Sequence, residues 1–497
     1  IDELVERELI ARVPVSRFPG DDELQFRHAI VREAAYAMLT DADRQLGHRL
    51  AGEWLQYAGE SEAMVLAEHF ERGGAPVRAS AWFRPAVEQA LAAGDFRSAA
   101  QRAERGVVCG ASGETLGALR RAQAEAHKWC AEFVLAERCA LEAMSHLLEG
   151  SALWYAAAGE AAEACGKLGD LEQLAAIAAA IVRAPDLDGA LAARVTATAH
   201  CAFQLFNHGK VQLAEALCDQ VDLAAAEVRD PHVLARIFQT RSSRAMFAGD
   251  SGAYVMSERA AAIAFEQAGD RRYACMQHGH VGYAHLEIGA YAEAERWLRQ
   301  ALDGGTRMGL ANVVATAKHN LGRALQHQGR LDEALAIETQ AVDEFVAQGD
   351  RRLEAASRGY LAGILRMRGE LAAAEEQLRI AMRGVQAASR PQLLAQLADL
   401  LLLRERPGEA AIAAREAHDL LEALGGVEEG ESLVRLMRAE TLRATGELEA
   451  AHDAIRRARD RVNERAAKIT DPAWRESFLH NLPENARTLA LAAELQA

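Results

Sequence analysis

Along most of the chain, apolar residues recur at helical spacing, and glycines interrupt these runs at a fixed period. Gly169, Gly209, Gly249, Gly289, Gly329 and Gly369 each stand 40 residues after the one before. Gly446 continues the series beyond an irregular unit centred on Arg406. Two earlier units centre on Gly94 and Ala131, which makes ten units. Two positions after the centre an apolar residue recurs, as in Phe96, Phe133, Leu171, Val211, Tyr291, Leu331, Leu371 and Leu448. Five positions after it an alanine recurs, and seven positions before it a small residue recurs, as in Ala202, Ser242, Gly282, Gly322 and Ala362.

This pattern predicts helical hairpins. A left-handed glycine ends the first helix. Small side chains let the second helix approach toward the near end of the ~8–10 Å range of helix packing. One hairpin cannot bury its apolar face alone, whereas a stacked row forms a continuous core. Two units break the pattern. Ser251 and Gly408 lack the bulk expected two positions after Gly249 and Arg406.

The spacing of small, large and small residues over roughly 80–462 resembles the tetratricopeptide repeat. Its usual period is ~34 residues, so the helices here are longer. The expected fold is therefore all-α, a right-handed α-solenoid of about ten such hairpins. Four segments are expected: the end of a winged-helix-like segment (1–58), a connecting helix (59–79), the array (80–462) and C-terminal capping helices (463–497).

The first 60 residues fall outside the repeat. Leu24–His28 reads as a short strand, Ala29–Leu39 as an apolar helix, and Asp41 onward as another helix with acidic residues in its first turn. The string FRHAIVREAAYAML, followed by DRQLGHRLAGEWL and LAEHFERGG, resembles a stretch of STAND-type bacterial ATPases. In that family it lies where a winged-helix part meets a repeat array. The tail, from Asp471-Pro472-Ala473-Trp474 to Pro483-Glu484-Asn485, is similar to the closing segment of such arrays. The resemblance implies the C-terminal regulatory arm of a longer protein with an ATPase, often with a Ser/Thr kinase or a nucleotide cyclase. The charged start at Ile1, without a Met, fits that expectation.

Composition narrows the chemistry. With 56 Lys+Arg against 72 Asp+Glu, the net charge of −16 argues against a nucleic-acid partner. No apolar run approaches the ~18 residues of a membrane span. The seven cysteines form no C-x-x-C pair and suit a reducing, cytoplasmic setting. No P-loop, H-E-x-x-H, G-x-S-x-G or kinase signature is present, so no catalytic residue and no cofactor is expected. Cys275, His278 and His285 share a helical stripe, but no fourth ligand follows at a regular spacing, and no metal site is expected. The basic run Arg456–Arg461 reads as a solvated helix face.

In arrays of the resembled kind, the first helix of each hairpin lines the concave side. Carried over by register, the partner-binding candidates are Asn207, Gln239, Phe247, Tyr283, Glu287, His319, Arg323, Gln326, His327 and Arg366. Phe203, Phe206, Met246 and Phe247 suit either that groove or the core between repeats. The implied partners are a protein or peptide ligand on the concave face and the ATPase or effector part of the same parent chain. The alternative is a sensor of a sugar or metabolite.

Overall fold

The computed structural model describes residues 1–495, except 19, 186, 384, 386–388, 426 and 428. It begins with α1 (Asp2–Glu6) and an antiparallel pair of short strands, β1 (Ile10–Arg12) and β2 (Leu24–Phe26), in register Ile10↔Phe26. Four helices follow: α2 (Ala29–Ala37), α3 (Asp41–Ala58), α4 (Ala63–Arg72) and α5 (Pro76–Ala92). Next come α6 (Phe96–Val108), α7 (Gly113–Trp129), α8 (Phe133–His146), α9 (Ala152–Leu168) and α10 (Leu171–Arg183). The middle holds α11 (Leu191–Asn207), α12 (Val211–Ala224), α13 (Pro231–Phe247), α14 (Ser251–Gln267), α15 (Arg271–Leu286) and α16 (Tyr291–Met308). Then come α17 (Ala311–His327), α18 (Leu331–Gln348), α19 (Arg351–Met367), α20 (Leu371–Ala381), α21 (Arg390–Leu403) and α22 (Pro407–Leu424). The chain closes with α23 (Glu431–Ala444), α24 (Leu448–Lys468), α25 (Pro472–His480) and α26 (Pro483–Glu494). From α5 to α24 the helices run as ten successive pairs, the all-α solenoid that the period predicts.

The turn chemistry explains the pairing. Every hairpin glycine of the series has positive φ, from 68° at Gly249 to 86° at Gly446, a region that costs other residues energy. Ala131 (φ 61°) holds the same place in its unit. A second set of left-handed glycines, including Gly269, Gly309 and Gly349, marks the return turns. Several glycines are followed by an aspartate that caps the next helix. Asp170, Asp250 and Asp350 accept the backbone N–H of the third residue on. One helix therefore stops and the next starts within two residues.

The irregular unit is corrected by one position. The left-handed residue is Glu405 (φ 58°), not Arg406. Counted from Glu405, the small residue is Ala398 and the alanine is Ala410, both 0% exposed, while Pro407 opens α22. The extra Arg-Glu-Arg charge conceals a regular hairpin.

The chain divides into two compact units. One comprises 1–126 with 142–147, the other 127–141 with 148–497, so α7 and α8 contribute to both. In the first unit, β2 and α2 fall where the sequence places them, and Thr40 caps α3 by accepting the N–H of Asp43. α2 buries no residue and α3 buries only Gly52. Tyr36 Oη lies 2.8 Å from His48 Nε2, and Trp54 meets Phe18 edge-on at 5.1 Å.

In the second unit, small residues sit where helices cross. A Cβ on Gly282 would stand 2.6 Å from Leu298 Cγ. The end of the array docks on its middle. Phe478 and Leu482 share a buried apolar cluster with Tyr254, Val255, Ala284 and Ile288. Asn481 Nδ2 donates to Gly289 O at 3.2 Å, and Tyr291 Oη donates to Asn481 O at 3.1 Å. A Cβ on Gly252 would stand 3.3 Å from Ile469 Cα. The missing bulk at Ser251 and Gly252 is thus the seat of the chain's own C-terminal part. In the basic run, Arg456 pairs with Asp453 at 2.5 Å and Arg461 with Glu431 at 2.9 Å.

Candidate functional site

Within the second unit, the first helices of consecutive hairpins, α9 to α21, face a common interior. Two adjoining cavities lie there, of about 190 Å³ and about 130 Å³. Together they reach the lower end of the ~300–1,000 Å³ usual for ligand sites. Tyr360, Gln392 and Glu429 belong to both walls.

All ten candidate residues line these cavities. Asn207, Gln239, Phe247, Tyr283 and His319 line the first; Glu287, Arg323, Gln326, His327 and Arg366 line the second. They recur because positions two, three, six and ten before a hairpin glycine fall on one face of the first helix.

Their partners divide them into two kinds. Arg323, 7% exposed, donates to Glu287 at 2.7 Å and to Tyr360 Oη at 3.3 Å, and pairs with Glu429 at 2.9 Å. Tyr360 Oη in turn donates to Glu429 at 2.8 Å. This knot stands between the two cavities. His319 bonds Glu338 at 2.9 Å and stacks on Tyr360 at 4.2 Å. Arg366 pairs with Asp399 at 3.5 Å, Gln326 donates to Met367 Sδ at 3.4 Å, and His327 stacks on Tyr291 at 4.5 Å. Burial, then the charges of Arg323 and Arg366, push His327 down to about 3.

The first cavity is less self-satisfied. Asn207 is 5% exposed and lines this cavity, and its amide makes no hydrogen bond among the described residues. Gln204 and Asn320 were not among the candidates. Each is 5% exposed, lines the same cavity and is likewise without a bond. Phe206 stacks on Phe247 at 4.9 Å, and Phe203 on His280 at 5.9 Å. Of the four residues left open between groove and core, Phe206 is fully buried, whereas Phe203, Met246 and Phe247 keep partial exposure at the cavity.

Register could have found Asn320, though not Gln204. Nine positions before the hairpin glycines stand His200, Thr240, His280, Asn320 and Tyr360, a polar and aromatic series. All but Thr240 line the first cavity.

The same wall holds a buried acid. Glu258 accepts from Ser242 Oγ and Gln277 Nε2, and burial pushes its carboxyl up to about 7. Cys275, His278 and His285 have separate partners: Ala301 O at 3.3 Å, Glu266 at 3.0 Å and the Trp474 ring at 5.9 Å. Among the described residues no three His, Cys, Asp or Glu side chains gather as metal ligands. No described helix is long and apolar enough to cross a membrane.

Residues 313–387, from α17 to just past α20, match the tetratricopeptide repeat family. No curated protein matches the sequence. Among solved structures, the chain is similar to a Rap protein complexed with Competence and Sporulation Factor. Identity is 13%, coverage is 76% of this chain and 99% of that one, and the TM-score is 0.51. It is also similar to the APC/C hetero-tetramer Cut9–Hcn1, with 14% identity, 92% and 95% coverage and a TM-score of 0.47. A STAND protein with a tetratricopeptide repeat sensor from Pyrococcus horikoshii matches with 15% identity, 79% and 65% coverage and a TM-score of 0.45. The likeness to the Rap protein is one of fold.

Proposed function

We propose that the second unit is a non-catalytic recognition module that takes an extended peptide segment into the interior lined by its first helices. The observation that carries this reading is a set of three amides on largely buried residues, Gln204, Asn207 and Asn320, which line the first cavity and make no side-chain hydrogen bond among the described residues. A side-chain amide offers a donor and an acceptor side by side, the complement of a peptide backbone unit. These amides open onto the cavity, and each bond they make to a ligand backbone would contribute about 0.5–1.5 kcal/mol. Phe203, Phe247 and Tyr283 beside them supply apolar area for side chains.

Occupancy would be passed on by population shift. A ligand that holds the Arg323–Glu287–Glu429 knot in one arrangement favours that state only by its difference in affinity for the two. The receiver would be the ATPase or effector part of the longer protein that the N-terminal text resembles.

The test is panning of phage-displayed random peptides on the whole chain and on an Asn207→Leu/Asn320→Leu variant. The reading expects selected peptides to bind the variant at least about tenfold more weakly. Peptides held equally by both would exclude the interior amides as their site. A sugar or metabolite that raises the melting midpoint, with no peptide selected, would favour the sensor alternative.

A further inference from the structure

The wall of the first cavity holds a positive charge that makes no ion pair among the described residues. Arg236, in the first half of α13, is 2% exposed. Its Nη1 donates to the neutral Gln239 Oε1 at 2.9 Å, and its Nε has no partner. Other cations of this unit have acids: Lys128 has Glu160 at 2.9 Å and Glu163 at 3.8 Å, half-buried Lys167 has Asp350 at 3.1 Å, and Arg323 has two. Among the described residues no carboxylate pairs with Arg236. The acid reached from it through hydrogen bonds is Glu258, and two neutral amides intervene. Gln239 Nε2 donates to Gln277 Oε1 at 2.6 Å, and Gln277 donates to Glu258. Burial favours the protonated, uncharged form of that acid.

A buried guanidinium gains most from a carboxylate paired to it directly, and Arg236 has the acids of this cluster, Glu160 and Glu163, only beyond Lys128. Here its plane is fixed. The guanidinium carbon lies 3.9 Å from the Tyr273 ring centre and 5.0 Å from that of Phe265. A stacked, immobilised arginine is a ready fork for a planar oxyanion. His200 stands in the same wall, its Nδ1 against the Gly159 backbone. Burial, then the nearby charges of Arg236 and Lys128, keeps it neutral, so it offers one further donor.

We propose that Arg236, with His200 beside it, forms an oxyanion subsite of this cavity that takes a carboxylate group. In the peptide reading above, on which this part rests, that group is the ligand's C-terminus or an acidic side chain. The carboxylate chemistry itself stands on Arg236 alone.

The probes are acetate and succinate, added to the whole chain at constant ionic strength while thermal unfolding is followed. Wild type should show a saturable rise in midpoint. Arg236→Met, which keeps the stacked shape and removes the charge, should lose it. Arg236→Lys, which keeps the charge without the fork, should respond about tenfold more weakly. Arg236→Gln replaces the Met variant if that one does not fold. No saturable response in wild type, or the same response in the uncharged variant, overturns the subsite. A peptide selected by panning is then compared with its amidated and Asp/Glu-to-amide forms. Binding unchanged by every such replacement and by Arg236→Met overturns the subsite while leaving the peptide reading intact. An Arg236-dependent carboxylate response with no peptide selected supports the subsite and removes the peptide reading.

Discussion

Glu258 is a carboxyl where the hairpin two repeats earlier has Ala178 and the next has Leu298. It is 5% exposed, and its bonds come from two neutral donors, Ser242 and Gln277. Burial moves it from 4.5 to about 7 in the folded chain. The folded state therefore holds this proton over a range in which the unfolded state has released it. Its contribution to stability is full below pH 4.5 and is lost as pH rises to 7. At 1.36 kcal/mol per unit, the loss between pH 5 and pH 8 is about 2.5 kcal/mol. Glu258→Gln keeps the shape and can serve both neighbours, but it does not ionise. The variant should match wild type within about 1 kcal/mol at pH 5 and exceed it by about 2–3 kcal/mol at pH 8. Urea midpoints across this range, with amide exchange along α14 as a local reading, measure the gap. A gap of the same size at both pH values would refute the reasoning.

Three further outcomes follow from the packing. Arg323→Met leaves Glu287 and Glu429 facing each other with little solvent, so the urea midpoint should fall by the equivalent of about 3 kcal/mol. Adding Glu287→Gln and Glu429→Gln should restore most of it. Gly282→Val drives a side chain into Leu298, and calorimetry should show a loss of about 1–3 kcal/mol or more. Phe478→Ala opens a cavity in the cluster that joins the C-terminal helices to α14 and α15. Amide exchange should quicken in α14, α15 and α25, with that of α9–α12 unchanged.

The hairpin order was legible because turn chemistry is local. A left-handed glycine followed by a capping aspartate fixes a boundary whatever lies around it, as at Gly169-Asp170 and Gly349-Asp350. At Glu405, where the left-handed residue is neither glycine nor alanine, the boundary slipped by one, whereas at Ala131 it did not. The poor unit at Gly249 looked irregular because its partner lies more than 200 residues away. Ser251 meets Arg465 and Gly252 is small to admit Lys468 and Ile469, a relation that no local period contains. The candidate residues reached the cavity walls because stripe and register are helical properties. Their satisfaction was not legible, since the acid that pairs Arg323 comes from a return turn, and the amide chain that isolates Arg236 joins three helices. Whether a cavity residue is engaged or open depends on such distant partners.

The central claim is that ligand is held by open amides inside the second unit. The most direct measurement is hydrogen exchange of the whole chain with and without a selected peptide. The account predicts protection concentrated in α11, α13, α15 and α17, around Asn207 and Asn320, and its disappearance in the Asn207→Leu/Asn320→Leu variant. Protection confined to the outer helices α12, α14, α16 and α18, or unaltered in that variant, would contradict it.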